Sequence, residues 1–453
     1  MVGPKYQRPA TPPSPAFKEE LPAGWKDAQP NDQVIRGKWW QIYKDPGLDA
    51  LEDRVSISNQ NVLAAGAQFR AAKAAVRVAR ASLFPTVTAS PSATRSGGGG
   101  SGLRRLYTIP IDFIYQIDIW GNIRRGVAAN SAIAQASAAD LENARLLYQA
   151  ELAQDYFQIV GLDATRRLLD TTVKSYQRYV QITQDRFDGG VASMGDVAQA
   201  KTQLETARAQ LVDLGVQRAQ FEHAIAVLAG KPPSGLSIPD APNQSPPPVS
   251  LVGIPSALLE RRPDVAAAER QVAAANEQIG IAKAALYPSL TLGADAGLQS
   301  STAADLFTWP SRFWSVGPQL AATLFDAGRR RAQIKVTEAT YDATVANYRQ
   351  TVLTAFEQVE DSLAQLRILA EEAEITDRAV KAAEQSLAIS TDQYLGGLTN
   401  YLQVITAQTS ALQNQRTAVE ILTRRMVASV SLVQALGGGW DTSQLPSSRD
   451  VLR

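Results

Sequence analysis

Apolar residues recur with a helical period over the longest patterned segment of the chain, between Arg329 and Leu436. The outgoing arm alternates spacings of four and three, a seven-residue repeat typical of a coiled coil: Tyr341, Val345, Tyr348, Val352, Ala355 and Val359. Beyond Gly396 and Gly397 the apolar positions again fall every seven residues: Ile405, Leu412, Val419, Met426 and Val433. Because glycine takes the backbone angles of a tight turn at low cost, the pattern predicts a helical hairpin. Its outgoing arm of roughly 65 residues is on the order of 100 Å long.

The period changes to two after Pro85, which predicts β-strands. Between Ile109 and Ile119, apolar and polar residues alternate, with Ile114 as an exception on the polar side. A similar alternation follows Pro288. We therefore expect two hairpins, 86–120 and 289–325, which give four strands with one apolar face and one polar face. The polar face carries the acidic residues Asp112, Asp118 and Asp295.

The chain repeats itself about 205 residues further along. Leu83-Phe84-Pro85 corresponds to Leu286-Tyr287-Pro288, and Gly189-Gly190 corresponds to Gly396-Gly397. Each repeat has a short helix, a hairpin, a long helix, a glycine turn and a returning helix. The two shorter helices together match the long one, so we expect them to stack end to end beside it. The predicted segments are an extended proline-rich arm 1–47, a first repeat 48–230, a proline-rich linker 231–255, a second repeat 256–440 and a tail 441–453.

The predicted fold is of the α+β class and mostly helical. Four strands of about ten residues have the length of membrane-barrel strands but cannot close a barrel, since the smallest membrane barrels have about 8 strands. We expect three copies to share one barrel of about 12 strands. The long helices would continue it as a coiled-coil barrel, with the polar strand face lining water.

Composition excludes several function classes. With 45 basic and 44 acidic residues the formal charge is +1, so no global field attracts nucleic acid. The chain has no cysteine and one histidine, and its glycine-rich run 97–100 lacks the Lys and Ser or Thr of a phosphate loop. No nucleophile–base pair or metal-ligand cluster stands out. We therefore expect no enzymatic activity, metal or cofactor. No apolar run approaches the roughly 20 residues of a membrane-spanning helix.

Several short motifs occur in a fixed order along the chain. They are Val2-Gly3-Pro4, Trp39-Trp40, Asp118-Ile119-Trp120-Gly121, the Leu-Glu-Arg-Arg-Pro-Asp of 259–264 and the Leu-Phe-Asp-Ala-Gly-Arg-Arg-Arg of 324–331. Together they resemble outer-membrane factors of the TolC-like superfamily, in particular lipoprotein channels of bacterial multidrug efflux systems of the RND type. The resemblance covers essentially the whole chain.

This resemblance implies a homotrimer in the Gram-negative outer membrane with a 12-strand barrel and a periplasmic α-barrel. It implies a passive exit duct whose periplasmic gate opens on engagement of two partners, a periplasmic adaptor (membrane fusion) protein and an inner-membrane proton-driven transporter. It also implies a lipidated cysteine, carrying palmitate and anchoring the chain to outer-membrane lipid. Met1 stands at that position here.

The resemblance further implies a gate near the helix turns, at Asp196, Tyr394, Thr399, Gln403 and Thr406. Relatives often have acidic residues at 403 and 406, and some have Arg at 399, so this gate is expected to be less charged. The alternatives are a carboxylate that stabilises a helix N-terminus for Asp196 and a core aromatic for Tyr394.

The two turns resemble the tips that contact the adaptor. Their residues are Gly189, Gly190, Val191, Gly396, Gly397 and Leu398. As an alternative, any helical hairpin needs glycine in its turn. Asp112, Asp118 and Asp295 are expected to line the barrel lumen, although an ordinary solvated strand face explains them as well.

Two other functions fit the same patterns. One is an outer-membrane duct for type I protein secretion, which would use the same architecture. The other is a soluble coiled-coil scaffold, which would not need four alternating strands of membrane length.

Overall fold

The computed structural model describes residues 1–11, 17–19, 26–27, 37–98, 101–240, 246–247, 251–252 and 261–452. The predicted boundary between the linker and the second repeat, the start of the motif at 259–264 and half of the glycine run 97–100 lie outside these residues.

The described part of the chain is dominated by helices. They are α1 (Pro46–Ser58), α2 (Gln60–Ala81), α3 (Asn122–Asp188), α4 (Met194–Leu228), α5 (Pro263–Ala284), α6 (Arg329–Leu395), α7 (Tyr401–Ala435) and α8 (Ser448–Leu452). The strands are β1 (Lys26–Asp27), β2 (Thr86–Ala89), β3 (Ser92–Gly98), β4 (Ser101–Ile117), β5 (Leu251–Val252), β6 (Ser289–Ser300) and β7 (Arg312–Ala321). The prediction of a mostly helical fold with a small sheet is confirmed. None of the described helices combines the length and apolarity needed to cross a bilayer.

The two long helices have equal lengths, and so do the helices that return from them. Helices α3 and α6 each have 67 residues, about 100 Å at 1.5 Å per residue. Helices α4 and α7 each have 35 residues. Both long helices begin after a glycine with positive φ, Gly121 at 86° and Gly328 at 84°. Both end at the glycine pairs, where Gly190 and Gly397 take φ near 75°. The predicted helical hairpins are thus present.

The shorter helices of each half stack end to end, as expected. The Asn59 side-chain amide donates to the Leu228 carbonyl at 2.9 Å, which joins the end of α4 to the start of α2. Similarly, the Arg262 guanidinium donates to the Ala435 carbonyl at 3.0 Å, which joins α7 to α5. These buried bonds satisfy carbonyls that the last turn of a helix leaves without an internal partner.

One expected helix is broken in two. The short helix predicted at the start of the first repeat is interrupted at Asn59, whose backbone is extended. Its side-chain oxygen accepts from the amides of Asn61 and Val62 at 2.9 and 3.1 Å. Asn59 therefore starts α2 as an N-cap, a role that asparagine favours over the helix interior.

The helices form one layer of four parallel units, in which each unit is either one long helix or two shorter helices stacked end to end. Helix α3 packs between the α2–α4 stack on one side and the α5–α7 stack on the other. Helix α6 packs along the far side of the α5–α7 stack. Within the described residues the layer therefore has two open edges, one along α2 and α4 and one along α6. The short tail helix α8 packs against α2 and α3.

A core near the middle of the layer fixes the aromatic residues of the amino-terminal arm. Trp39 and Trp40 are buried in an apolar cluster with Tyr156 and Phe157 of α3. The Tyr43 hydroxyl lies 3.1 Å from the Ser429 hydroxyl of α7. These aromatic residues thus fix the end of the arm to the helical layer.

The described part of the arm runs along α5 and α6, away from the sheet. The Val2 amide donates to the Trp120 carbonyl at 2.9 Å, next to the start of α3. Further along, the Arg8 guanidinium donates to the Tyr348 hydroxyl at 3.3 Å. The Lys18 amide then donates to Glu360, near the middle of α6, at 2.7 Å. The arm thus connects the base of the sheet with the middle of the helical layer.

The sheet is antiparallel and four strands wide, as predicted. Strands β2 and β3 both pair with β4, which pairs with β6, which pairs with β7. Ser90 and Pro91 split the first strand without changing its register on β4. Proline has no amide hydrogen to donate, which explains the interruption at an edge strand. Strand β7 ends at Ala321, before the predicted limit at residue 325.

Candidate functional site

The two strand aspartates lie side by side on one face of the sheet. Asp112 of β4 is directly opposite Asp295 of β6. Thr88 flanks Asp112 and Ser315 flanks Asp295, which makes one row of four polar residues. The Ser90 hydroxyl also donates to Asp112 at 3.3 Å. The row provides a hydrated acidic surface across the whole width of the sheet.

Ile114 is the exception that the sequence pattern indicated. It lies on the polar face of the sheet, two residues before Gln116 on β4. Its direct neighbours across the sheet are Thr86, Gly293 and, beyond it, Gly317. Side-chain atoms are therefore scarce around Ile114, which is more than half exposed.

Asp118 does not belong to the polar row of strand residues, contrary to the prediction. It follows the last residue of β4 and accepts hydrogen bonds from the amides of Ile123 and Arg124 at 3.2 and 3.0 Å. The Arg124 guanidinium forms an ion pair with it at 3.0 Å. Burial raises the pKa of Asp118, but the bonds from Arg124 and Ile123 outweigh burial and hold the pKa below its ordinary value. Asp118 thus stabilises the first turn of α3.

The two tips have the same turn geometry. The Val191 amide donates to the Arg186 carbonyl, and the Leu398 amide donates to the Gln393 carbonyl, both at 2.8 Å. Val191 and Leu398 are 69 and 82% exposed. The tips therefore combine glycine turns with protruding apolar side chains, to which Met194 and Leu402 add exposed apolar surface.

Asp196 is the third residue of α4 and forms a capping box with Ser193. The Asp196 amide donates to the Ser193 hydroxyl, and the Ser193 amide donates to the Asp196 carboxylate, both at 3.1 Å. The alternative reading, a carboxylate at a helix N-terminus, therefore describes its contacts within the chain. Any gate role would add to this one.

Tyr394 is buried, as the core-aromatic alternative requires. Its ring centroid lies 5.3 Å from that of Tyr401, the first residue of α7. Its hydroxyl is buried and has no hydrogen-bond partner among the described residues. Burial raises the pKa of Tyr401, and its neighbours Tyr394, Tyr179, Tyr176 and Asp196 add to the effect. Tyr179, Tyr394 and Tyr401 thus share one apolar cluster near the tips.

Thr399, Gln403 and Thr406 follow one another at spacings of four and three. Gln403 and Thr406 are exposed on α7, and Thr399 in the turn before α7 is half-buried. The Thr406 hydroxyl donates to the Leu402 carbonyl at 2.9 Å. No hydrogen bond among the described residues joins them to Asp196 or Tyr394.

Arg186 is a tip residue that the sequence reasoning missed. It lies in the last turn of α3, donates to the Leu395 carbonyl at 3.1 Å and places its guanidinium 4.8 Å from the centroid of the Tyr394 ring. Nearby, the hydroxyls of Tyr179 and Thr391 lie 2.9 Å apart. Arg186 thus ties the first hairpin to the second. A basic residue in a last helical turn is a visible signal, but its partner 209 residues away is not.

No group of three or more potential metal ligands comes together anywhere in the described ranges.

Comparison with known proteins identifies the family. The model of the outer membrane efflux protein family matches residues 52–231 and 254–438, which make up most of the chain. The chain belongs to this family. The outer membrane protein OprJ of Pseudomonas aeruginosa is 31% identical, and the match covers 97% of this chain and 93% of OprJ. The pyoverdine export outer membrane protein OpmQ of the same organism is 30% identical, and the match covers 95% of this chain and 92% of OpmQ.

Solved structures agree with this assignment to the outer membrane efflux protein family. The outer-membrane channel OprN has a similar fold, with a TM-score of 0.89 and 28% sequence identity. The match covers 97% of this chain and 99% of OprN. The family resemblance drawn from the sequence motifs is thereby confirmed.

Proposed function

We propose that this protein of the outer membrane efflux protein family is the outer-membrane exit duct of a tripartite pump. In this role it passively conducts drugs and other small toxic compounds from the periplasm to the exterior. The observation that carries the proposal is a narrow sheet with one apolar face, one polar face and two open edges. This sheet is joined to a helical layer that also has two open edges. OpmQ is named for pyoverdine export, which favours small compounds over proteins as cargo.

The faces of the sheet support a position in the membrane. The apolar face exposes large side chains that are between 52 and 77% accessible: Val87, Ile111, Trp314, Val316 and Leu320. The opposite face carries the row of Asp112 and Asp295. Contact of the first face with lipid and of the second with water is the arrangement of a transmembrane barrel strand.

The edges of the helical layer support assembly from several copies. Helix α6 exposes Ile368, Ile375 and Ile389, each about half accessible and spaced at multiples of seven. At the other edge, α4 exposes Val212 and Val216. If α6 of one copy packs against α4 of the next, both apolar stripes are buried as coiled-coil contacts. Three copies close both layers at once, the sheet into a barrel of about 12 strands and the helices into a tube.

The amino terminus supports a lipid anchor. Met1 packs against Gly121, and Val2 is bonded to Trp120, so the chain begins at the base of the sheet. A lipid on a cysteine at the position of Met1 would enter the bilayer beside the barrel, and two anchoring elements together give stable attachment.

The tips support a gate opened by partners. Opening a tube of helical hairpins requires neighbouring hairpins to separate, and Arg186 joins two of them through Leu395 and Tyr394. The exposed apolar side chains of Val191 and Leu398 give a periplasmic adaptor a surface to bind. Three copies of Asp196 around one axis would repel one another and favour cations in the closed state. The inner-membrane proton-driven transporter would supply the energy.

The mass of the protein in detergent tests the proposal. Light scattering, corrected for bound detergent, should give about 146 kDa for three chains of 48.7 kDa each. The same preparation should form channels in planar bilayers. A stable, folded monomer of 48.7 kDa would overturn the barrel and with it the duct.

A further inference from the structure

The end of the sheet that lies far from the helices carries arginines on its apolar face. The Ile117 end of β4 adjoins the helices, and at the other end of the nine-residue span 109–117 Ile109 shares a row with Leu298 and Arg312. Nine residues match the roughly 9 to 11 that a tilted strand needs to cross a bilayer. The hairpin of β3 and β4 extends beyond Ile109, so its outer part lies outside the span that would cross the bilayer.

Two more arginines lie on the same face of this hairpin. Arg95 of β3 is directly opposite Arg105 of β4. Because side chains alternate along a strand, Arg105 shares the face of Ile109, four residues away. Arg312 lies on this face too, because it is opposite Leu298, which is opposite Ile109. Arg104, the neighbour of Arg105, points to the other face. Arg95, Arg105 and Arg312 define the arginine rim.

In the described ranges the arginine rim has no ion-pair partner. Like charges placed directly across a strand pair repel, so Arg95 opposite Arg105 is unfavourable without an anion. All three rim arginines are exposed, and none forms an ion pair with a described residue. The segments 92–109 and 298–314 contain four arginines and a single acidic residue, Asp305. The rim therefore offers three guanidinium groups to an external anion.

Aromatic side chains surround the same rim. The Arg312 guanidinium lies 3.9 Å from the centroid of the Trp309 ring. Trp309, Trp314 and Phe307 are between 75 and 77% exposed. The loop that carries Trp309 is ordered by the Ser311 hydroxyl, which donates to the Asp305 carbonyl at 2.6 Å. Such rings prefer the boundary between lipid chains and headgroups.

We propose that the arginine rim binds the phosphate groups of the phosphorylated glycolipid in the outer leaflet of the outer membrane. This inference rests on the proposed outer-membrane position. Arg312 and Trp309 lie at the boundary row, and Arg95 and Arg105 lie roughly 13 Å further along the strands, at headgroup depth. Planar guanidinium groups bind phosphate oxygens in pairs, and the aromatic rings contact the upper part of the acyl chains.

The test measures binding of lipid A to the full-length protein in mild detergent by native mass spectrometry. The probes are lipid A with two phosphates, dephosphorylated lipid A and phosphatidylglycerol. The double variant Arg95→Gln/Arg105→Gln should bind the phosphorylated probe at least about tenfold more weakly. The matched control Arg104→Gln, on the same hairpin but the opposite face, should change binding less than about twofold.

Three outcomes would overturn the inference. These are equal binding of phosphorylated and dephosphorylated lipid A, equal binding of phosphatidylglycerol, and an equal loss in Arg104→Gln. Conductance of the same preparations separates this inference from the duct proposal. Wild-type protein without channels would overturn the duct, whereas a channel-forming double variant with unchanged lipid A affinity would overturn the arginine rim alone.

Discussion

Glu52 of α1 is fully buried, and within the part of the chain that the structure describes neither of its carboxylate oxygens has a hydrogen-bond partner. Burial raises the pKa of Glu52 well above its ordinary value, and the nearby Asp53 and Asp49 add to the effect. A carboxyl group whose pKa is higher in the folded than in the unfolded state binds more protons when folded. Its effect on stability is therefore most favourable below the unfolded pKa and is lost as pH rises through the folded pKa.

We predict that Glu52→Gln changes the pH dependence of stability. Near pH 8 the variant should melt at a higher temperature than the wild type, because it removes the cost of a buried charge. Near pH 4 the difference should vanish, since Glu52 is then neutral. Thermal melting at both pH values measures this. Glu205→Gln, an exposed control on α4, should change the melting temperature by the same small amount at pH 8 and at pH 4. If Glu52→Gln also changed the melting temperature equally at the two pH values, the prediction would be contradicted.

Asp196 allows the gate charge to be separated from the helix cap. Asp196→Asn removes the charge but keeps an oxygen that can accept from the Ser193 amide. We expect Asp196→Asn and Asp196→Ala both to weaken the resting constriction at the gate and so to raise single-channel conductance. Ser193→Ala keeps the charge and breaks the other half of the capping box. It should lower stability by about 1 kcal/mol without changing conductance.

An increase in conductance with Ser193→Ala as large as that with Asp196→Ala would assign the effect to the cap. Unchanged conductance in Asp196→Asn, measured on correctly assembled protein, would remove the carboxylate from the gate.

At the scale of elements, Asn59 joins three helices through one side chain. Its amide binds the end of α4 and its oxygen starts α2, directly after the end of α1. Asn59→Ala should lower the free energy of unfolding by about 1–3 kcal/mol, because it leaves the buried Leu228 carbonyl unpaired and removes an N-cap. Denaturant unfolding measures the loss. Asn61 is an exposed neighbour on α2, and Asn61→Ala should change the free energy of unfolding little. A similar decrease in both variants would rule out the junction as the cause.

The sequence predicted these elements well where periodicity alone decides them. The lengths of the long helices followed from the apolar repeats and the glycine turns. The break at Asn59 did not, because Val55 before it and Val62 after it are both buried, so the apolar pattern continues across the break. The split at Pro91 was equally hidden, since β2 and β3 keep one register on β4.

The candidate site was predictable only in part. Alternation along the strands placed Asp112 and Asp295 on one face, and the register then made them direct neighbours. Asp118 fits the same alternation, but its partners are the amides of a following helix turn, which periodicity does not reveal. Arg186 and Tyr394 meet across two hairpins, and one sequence without an alignment gives no signal for such a contact.

At the scale of the whole molecule, the two open edges of the helical layer are the contact surfaces of the proposed trimer. We predict that Ile368→Lys/Ile375→Lys abolishes the trimer, because burying two ammonium groups in an apolar contact is costly. Light scattering should then show a smaller mass than the wild type. Asp377→Lys is the matched control, an exposed residue about 200° around the helix from Ile375. It should leave the trimer intact, and a wild-type mass for the double variant would place the interface elsewhere.

The docking of the amino-terminal arm implies an order of events during biosynthesis. Lys18 meets Glu360 across 342 residues, and Glu19 meets Arg367 across 348. The arm residues Lys18 and Glu19 therefore lack these partners on α6 until most of the chain has followed them. Contacts so distant in sequence form slowly, because a long loop must close first. The arm consequently docks late in maturation, when the outgoing helix of the second hairpin is already in place to receive it.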